Sequence, residues 1–343
     1  MIASVTFRNF KALRNTRLQF APFNLVIGPN GSGKTSLIQA LVRLRDLSKL
    51  PVSEMPLQGD RAEALEVAFR FSPPYADVQA RIACSHELVC DLLQVRSPSP
   101  QLWQALIPGL ASLRSFVLDH AAIAAGVTGA DPHAGRRLSA DGRNVADVLF
   151  NRRELEPEAY ARTEREFCRL LPEFARLEFP RLPDGSVRVL ALLTDGSRVP
   201  AENLSQGTLY ALALLTLAFD PSPPAVACIE EIDRGIHPRL LREIRDILYR
   251  LSYPSAFGET KPPVQIVATT HSPYLLDLFR DHPEEVVIAQ KQGAEAHFER
   301  LSDRADIHEI LQEGTLGDMW FAGILGGVPE DDVRLRPGTP SPH

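Results

Sequence analysis

The sequence predicts an α/β fold built around a parallel sheet, and three observations predict it. An apolar run at 23–27 (FNLVI) leads into a glycine-rich loop at 28–35 and then into an amphipathic helix. From 205 onward, helical and strand-like segments alternate: helix 205–219, strand 225–229, helix 238–251, strand 264–269 and helix 274–280. The strand at 225–229 ends in two adjacent carboxylates, Glu230 and Glu231.

The elements follow in chain order. Residues 2–7 (IASVTF) read as a strand. The run 23–27 is apolar without alternation, as a parallel strand buried on both faces would be. A helix beginning near Lys34 carries Leu37, Ile38, Leu41 and Leu44 on one face. Residues 64–72 form a further strand, stopped by Pro73 and Pro74. Residues 75–200 read as an inserted α+β lobe. It has strand-like pieces near 82–95, helical periodicity near 144–150 and 158–172, and a loop at 125–143. This lobe is far too short for a long coiled coil. The expected organisation is one domain over 1–330, with its core from 1–72 and 200–328, and a disordered tail at 331–343.

Of the 343 residues, 44% are hydrophobic and 23% charged, as in a soluble globular protein. A net charge of -6 disfavours wholesale coating of nucleic acid. The first 50 residues differ: Arg8, Lys11, Arg14, Arg17, Lys34, Arg43, Arg45 and Lys49 face Asp46 alone. That local excess reads either as compensation for bound phosphate or as a DNA contact. Cys84, Cys90, Cys168 and Cys228 form no CxxC pair, so zinc and a disulfide framework are not expected. Charges at Arg8 and Lys11 and the lack of an 18-residue apolar run predict neither signal peptide nor membrane span, and a cytoplasmic protein.

The loop Gly28-Pro29-Asn30-Gly31-Ser32-Gly33-Lys34-Thr35 matches GxxxxGK[ST] without a gap. Its glycines let backbone N–H groups face phosphate oxygens. Lys34 supplies a point charge, Thr35 a hydroxyl for Mg²⁺, and the helix its positive end. Asn30, Gly31, Ser32, Gly33, Lys34 and Thr35 are therefore the predicted ATP contacts. Of the paired acids, Glu230 is expected to support Mg²⁺ and Glu231 to polarise the attacking water. His271 ends the strand 264–269 in Thr269-Thr270-His271-Ser272-Pro273, where it would face a ligand at the sheet edge. Leu204-Ser205-Gln206-Gly207 opens an apolar helix. Ser205 reads as its N-cap, and the Ser-x-Gly as an anion site.

In order and spacing these motifs resemble an ABC-type ATPase head: a P-loop NTPase with an inserted lobe. Asn9-Phe10-Lys11 before GPNGSGKT is similar to the RecF/SMC/OLD branch. The segment 230–238, EEIDRGIHP, is similar to the EExExGxHP stretch of small bacterial ATPases related to OLD proteins. Asp141-Gly142-Arg143-Asn144 resembles that family's DG-x-N element, and the stretch from Gly314 to Trp320 fits it too. The resemblance implies Glu231 as catalytic glutamate, His271 as switch histidine, and Ser205 and Gly207 as contacts to the γ-phosphate of a second subunit. ATP would then be sandwiched in a homodimer. It also implies a head without the Toprim nuclease domain of the full OLD type, since no chain remains for one. The partner would be DNA or a separate nuclease or effector, in DNA repair or phage defence. LSQGT departs from LSGGQ, Glu230 stands where an aspartate is common, and the Q-loop glutamine is not placed, with Gln58 a candidate. Two other classes compete: the energising subunit of a membrane transporter, and a nucleotide-gated scaffold that does not hydrolyse.

Overall fold

The structure is a computed structural model that describes residues 1–50, 65–83, 91–128 and 135–326. Gln58, Cys84, Cys90, part of the 125–143 loop and the expected tail at 331–343 lie outside the described residues. The chain divides into two compact units, Met1–Leu113 with Gln265–His343, and Arg114–Val264.

The first unit opens with β1 (Ile2–Arg8), β2 (Thr16–Gln19), β3 (Phe23–Ile27) and α1 (Lys34–Ser48). It continues through β4 (Glu66–Phe71), β5 (Gln79–Ala83), β6 (Leu92–Arg96) and α2 (Pro100–Ala111). An antiparallel sheet runs in the order β2-β1-β4-β5-β6. Phe7 and Phe69 are fully buried on it. The helix α1 buries Leu37, Ile38, Leu41 and Leu44, the face expected from spacing. Ser99 caps α2 by accepting from the Leu102 amide at 3.3 Å.

The second unit contains β7 (Arg114–Phe116), α3 (His120–Ala125), α4 (Val145–Leu155) and α5 (Pro157–Leu170). There follow β8 (Phe174–Glu178), β9 (Leu190–Leu193), β10 (Arg198–Pro200), α6 (Gln206–Ala218), β11 (Val226–Ile229) and α7 (Pro238–Ser252). Strands β8, β9 and β10 form an antiparallel sheet, and β11 pairs parallel with β7. In α6 every residue from Gly207 to Ala218 is buried, because a helix apolar all round must be enclosed.

A buried ion pair ties α4 to the end of α6. Arg152 donates to the Thr216 carbonyl at 2.6 Å and lies 3.1 Å from the Asp220 carboxylate. Both side chains are at most 5% exposed. Burial pulls the Arg152 guanidinium below its ordinary value, and Asp220 opposes that pull. Asp220→Asn leaves the charge of Arg152 uncompensated and is expected to lower unfolding free energy by about 2 kcal/mol. The pair Arg45–Asp46, with side chains 25% and 44% exposed, supplies the contrast, with Asp46→Asn costing below about 1 kcal/mol. Urea unfolding of the two variants checks the difference; equal losses would remove the special role of the buried pair.

The chain returns to the first unit with β12 (Gln265–Thr270), α8 (Pro273–Asp277), β13 (Val286–Gln292) and β14 (Glu295–Arg300). It closes with α9 (Ile307–Glu313) and α10 (Leu316–Phe321). Strands β12 and β13 flank β3, both parallel to it, and β14 pairs antiparallel with β13. All five residues of β3 are buried, four of them apolar, while Asn24 donates to the carbonyls of Ala21 at 2.7 Å and Ile266 at 3.1 Å. Phe7 lies between Phe10 and Phe298, at centroid distances of 5.8 and 6.1 Å, which packs β1 against β14.

Candidate nucleotide site

The first unit holds the phosphate loop at the carboxyl end of β3. Lys34 is 8% exposed, and its ammonium donates to the carbonyls of Gly28 at 2.7 Å and Pro29 at 2.9 Å. The Ser32 hydroxyl is buried with no hydrogen-bond partner among the described residues. Orphaned buried polar atoms are rare, so one inside a phosphate loop points to a ligand. Gly31 and Gly33 have φ of 75° and 90°, the left-handed region that favours glycine. At Gly33 a Cβ would also come within 2.6 Å of Leu13. Thr35 and the rim residues Asn30 and Gly31 are exposed. The loop therefore fits a phosphate chain: backbone amides, a held cation and an unsatisfied hydroxyl.

The Asn9-Phe10-Lys11 segment supports this loop from below. Asn9 and Lys11 have positive φ, and Phe10 and Leu13 exchange backbone hydrogen bonds at 2.9 Å. That tight turn carries Leu13 under Gly33. His271 follows the register pair Thr270↔Ile27, so it stands one residue beyond β12 at the level of Gly28. Ser272 accepts from the Leu275 amide to cap α8. In the Gly314–Trp320 stretch, the Gly317 amide donates to Asp277 at 2.7 Å, and a Cβ there would crowd Asp277 and Pro273. This stretch thus clamps the helix that begins just after His271.

The second unit holds the acidic strand end and the Ser-x-Gly turn. Glu230 follows Ile229, which is in register with Phe116, and its amide donates to the Phe116 carbonyl at 2.9 Å. Glu230 is half-buried and Glu231 exposed. Glu231 has φ 48°, an unfavourable backbone for a residue with a side chain, and such strain clusters at working sites. Arg234 lies 3.8 Å from its carboxylate, a solvent-exposed pair worth little. An open depression beside them is walled by Val117, Leu118 and Tyr210, with Glu230, Glu231 and Arg234 at its polar side.

Ser205 is exposed and caps α6, accepting from the Thr208 amide at 3.1 Å. Gly207 is buried, because any Cβ would meet the Gly235 carbonyl at 2.5 Å. Gln206, which stands where a glycine is usual, packs on Gly235 and donates to the Tyr210 hydroxyl at 3.2 Å. The Ser-x-Gly turn and the acidic loop thus brace each other within this unit.

The Asp141-Gly142-Arg143-Asn144 element builds the wall of the depression. Asp141 accepts from Ser139 and from the Arg143 amide, and Asn144 accepts from the Ser139 amide at 2.7 Å. Burial raises the Asp141 carboxyl, but the bonds from Arg143 and Ser139 outweigh it and hold the group below its ordinary value. The carbonyls of Ala140 and Asp141 then accept from the amides of Val117 and Asp119. Asp119 caps α3 and is itself held low, first by the Ala122 amide. Val117, Leu118 and Tyr210 had no motif to mark them; only the fold shows that they flank the glutamates.

Two family models match the chain. "AAA domain, putative AbiEii toxin, Type IV TA system" matches residues 128–277, and "AAA ATPase domain" matches residues 1–77. The chain is similar to an OLD nuclease of Thermus scotoductus, 30% identical over 80 residues, or 22% of this chain and 15% of that protein. It is also similar to the Septu protein PtuA of Bacillus mycoides, 21% identical over 387 aligned positions, covering 100% of this chain and 48% of that protein. The chain spans about half the length, or less, of the curated relatives it matches. Among solved structures it is similar to the Smc head domain of Pyrococcus furiosus, with an extended coiled coil and bound to the C-terminal domain of ScpA. That match has a TM-score of 0.57 at 14% identity and covers 91% of this chain and 99% of the other. The likeness shows the fold, a mixed α/β P-loop ATPase head.

Proposed function

We propose, for a chain that belongs with the AAA- and ABC-type ATPases of the RecF/SMC/OLD-like branch, an ATP-driven switch that dimerises on Mg²⁺-ATP and is reset by hydrolysis. One observation carries this most: Lys34 and the unsatisfied Ser32 hydroxyl are buried together in a GPNGSGKT loop, with His271 on the neighbouring strand end. Lys34, with the amides of Asn30, Gly31, Ser32 and Gly33, binds the phosphates. Glu231 takes a proton from the attacking water, and His271 hydrogen-bonds the terminal phosphate or that water. Thr35 and Glu230 are oxygen donors suited to Mg²⁺, which keeps several waters and would neutralise phosphate charge.

The exposed Ser205 supports the dimerisation reading. It opens α6, a helix of 13 residues, whose positive N-terminal end favours an anion. We assign it, with the buried Gly207 that shapes the turn, to the γ-phosphate held by a second copy. ATP is expected to convert the Glu231→Gln protein to a dimer in sedimentation. Adding Ser205→Asp should prevent this, because aspartate still caps the helix but repels phosphate. Unchanged ATP-dependent dimerisation in the double variant would contradict the trans contact. The dimer acts on DNA or with a separate nuclease or effector protein; the basic first 50 residues support the former. Adding duplex DNA at low and moderate salt to the same sedimentation run tests it, since phosphate contacts weaken steeply with salt. An ATP-bound dimer that does not sediment with DNA at low salt assigns the switch to a protein partner. Among the described residues, no helix is long and apolar enough to cross a membrane.

A further inference from the structure

We infer that Lys291, outside every motif above, is a second phosphate-binding cation that reads the terminal phosphate of a bound nucleoside triphosphate. The inference rests on the nucleotide-binding reading and extends it to the strand beside the loop.

Register places the residue. The strands β13 and β3 run parallel with Ile288 opposite Ile27, so Ala289 comes level with Gly28. The packing agrees: a Cβ on Gly28 would meet the Ala289 carbonyl at 2.4 Å and its Cβ at 2.8 Å. Side chains alternate along a strand, so Lys291 leaves the same face as Ala289, two residues further on. Gln290 takes the other face, donating to Glu299 at 2.7 Å. While β3 ends and curls into the phosphate loop, β13 continues with β14 as a hairpin, Lys291 opposite Ala296. The hairpin carries Lys291 over the loop, with its Nζ 3.5 Å from where a Gly31 Cβ would stand.

Chemistry then decides between a solvated surface lysine and a ligand-directed one. Lys34 is turned into the loop, on the carbonyls of Gly28 and Pro29. Lys291 approaches from the exposed side, at the rim residue Gly31. Among the described residues, the Lys291 ammonium forms no ion pair or hydrogen bond. Two ammonium groups on one small loop repel unless an anion lies with them. A phosphate chain anchored at Lys34 and the start of α1 would present its outer, terminal group to the rim. The terminal phosphate carries the most charge and is missing from ADP, so Lys291 favours the triphosphate over the diphosphate.

The test is the affinity of the Glu231→Gln protein for fluorescent ATP and ADP analogues, with and without Lys291→Met. Methionine keeps the length and removes the charge at an exposed position, so folding is preserved. ATP affinity is expected to fall about 10- to 100-fold, the range of a charge-assisted hydrogen bond, with ADP changing less than about twofold. Lys291→Arg should restore the preference, and Lys49→Met, which removes an equal charge from the far end of α1, should leave it intact. Equal loss for both nucleotides, or no loss for either, overturns the assignment. If the parent protein binds neither analogue, the nucleotide-binding reading itself fails, and the two failures are thereby distinguished.

Discussion

Replacing Lys34 with alanine is expected to lower ATP affinity by at least about 100-fold. Charge-assisted hydrogen bonds contribute about 1.5–3 kcal/mol each, and removing two such bonds to phosphate together gives about 3–6 kcal/mol. In the structure the ammonium is already held at the loop by the Gly28 and Pro29 carbonyls, so little conformational freedom remains to be lost on binding. The fold should survive, because the Lys34 ammonium donates to the loop that it serves, while Leu37, Ile38, Leu41 and Leu44 keep α1 in the core. Isothermal titration with Mg²⁺-ATP measures the effect, and the melting temperature of the variant shows whether it is folded. Binding equal to that of the parent would remove Lys34 from the site.

Replacing Glu231 with glutamine is expected to separate binding from turnover. Glutamine keeps the size and still accepts a hydrogen bond, but it cannot take a proton from water. General-base catalysis contributes about 10²- to 10⁴-fold, and turnover should fall by that range. ATP affinity should stay within about twofold, since neither Lys34 nor Thr35 is altered. Stability should hold as well: the Glu231 side chain is 52% exposed, and the Arg234 side chain beside it is 53% exposed. The strain at φ 48° belongs to the backbone and persists with either side chain. Single-turnover phosphate release against a separate binding titration reads both quantities; parent-like turnover would mean that another group activates the water.

How far the sequence revealed this depended on whether one local signal sufficed. The strand Phe23–Ile27 was readable to the residue, because a largely apolar run against a glycine loop marks both its identity and its end. The helices Gln206–Ala218 and Pro238–Ser252 and the strand Gln265–Thr270 were within one residue of expectation at every boundary, since caps and prolines mark their ends. Short pieces escaped. Thr16–Gln19 is a four-residue edge strand whose pairing with β1, rather than its composition, makes it a strand. The helix Pro100–Ala111 contains Pro108, which reads as a breaker but lies in the last turn. The expected helix at 274–280 ends at Asp277, where the Gly317 amide takes up the Asp277 carboxylate from a segment 40 residues away.

The same division holds for the site. The phosphate loop, the paired glutamates and His271 each sit at a strand end, where sequence order and chemistry agree. Leu13 under Gly33, Tyr210 beside the glutamates and Lys291 over Gly31 are tertiary facts. Each is an ordinary residue whose position is set by register or by a turn elsewhere. The Asp141 element had a visible motif but not a visible purpose; its bonds to Val117 and Asp119 show it as a brace for the wall next to Glu231.

The most direct measurement of the central claim is phosphate release from Mg²⁺-ATP by the purified chain, with Lys34→Ala and Glu231→Gln run beside it. The account predicts release by the parent, none above background when Lys34 is absent, and bound but intact ATP when Glu231 is glutamine. Release that persists at the parent rate in both variants, or a parent chain that binds no ATP, would contradict it.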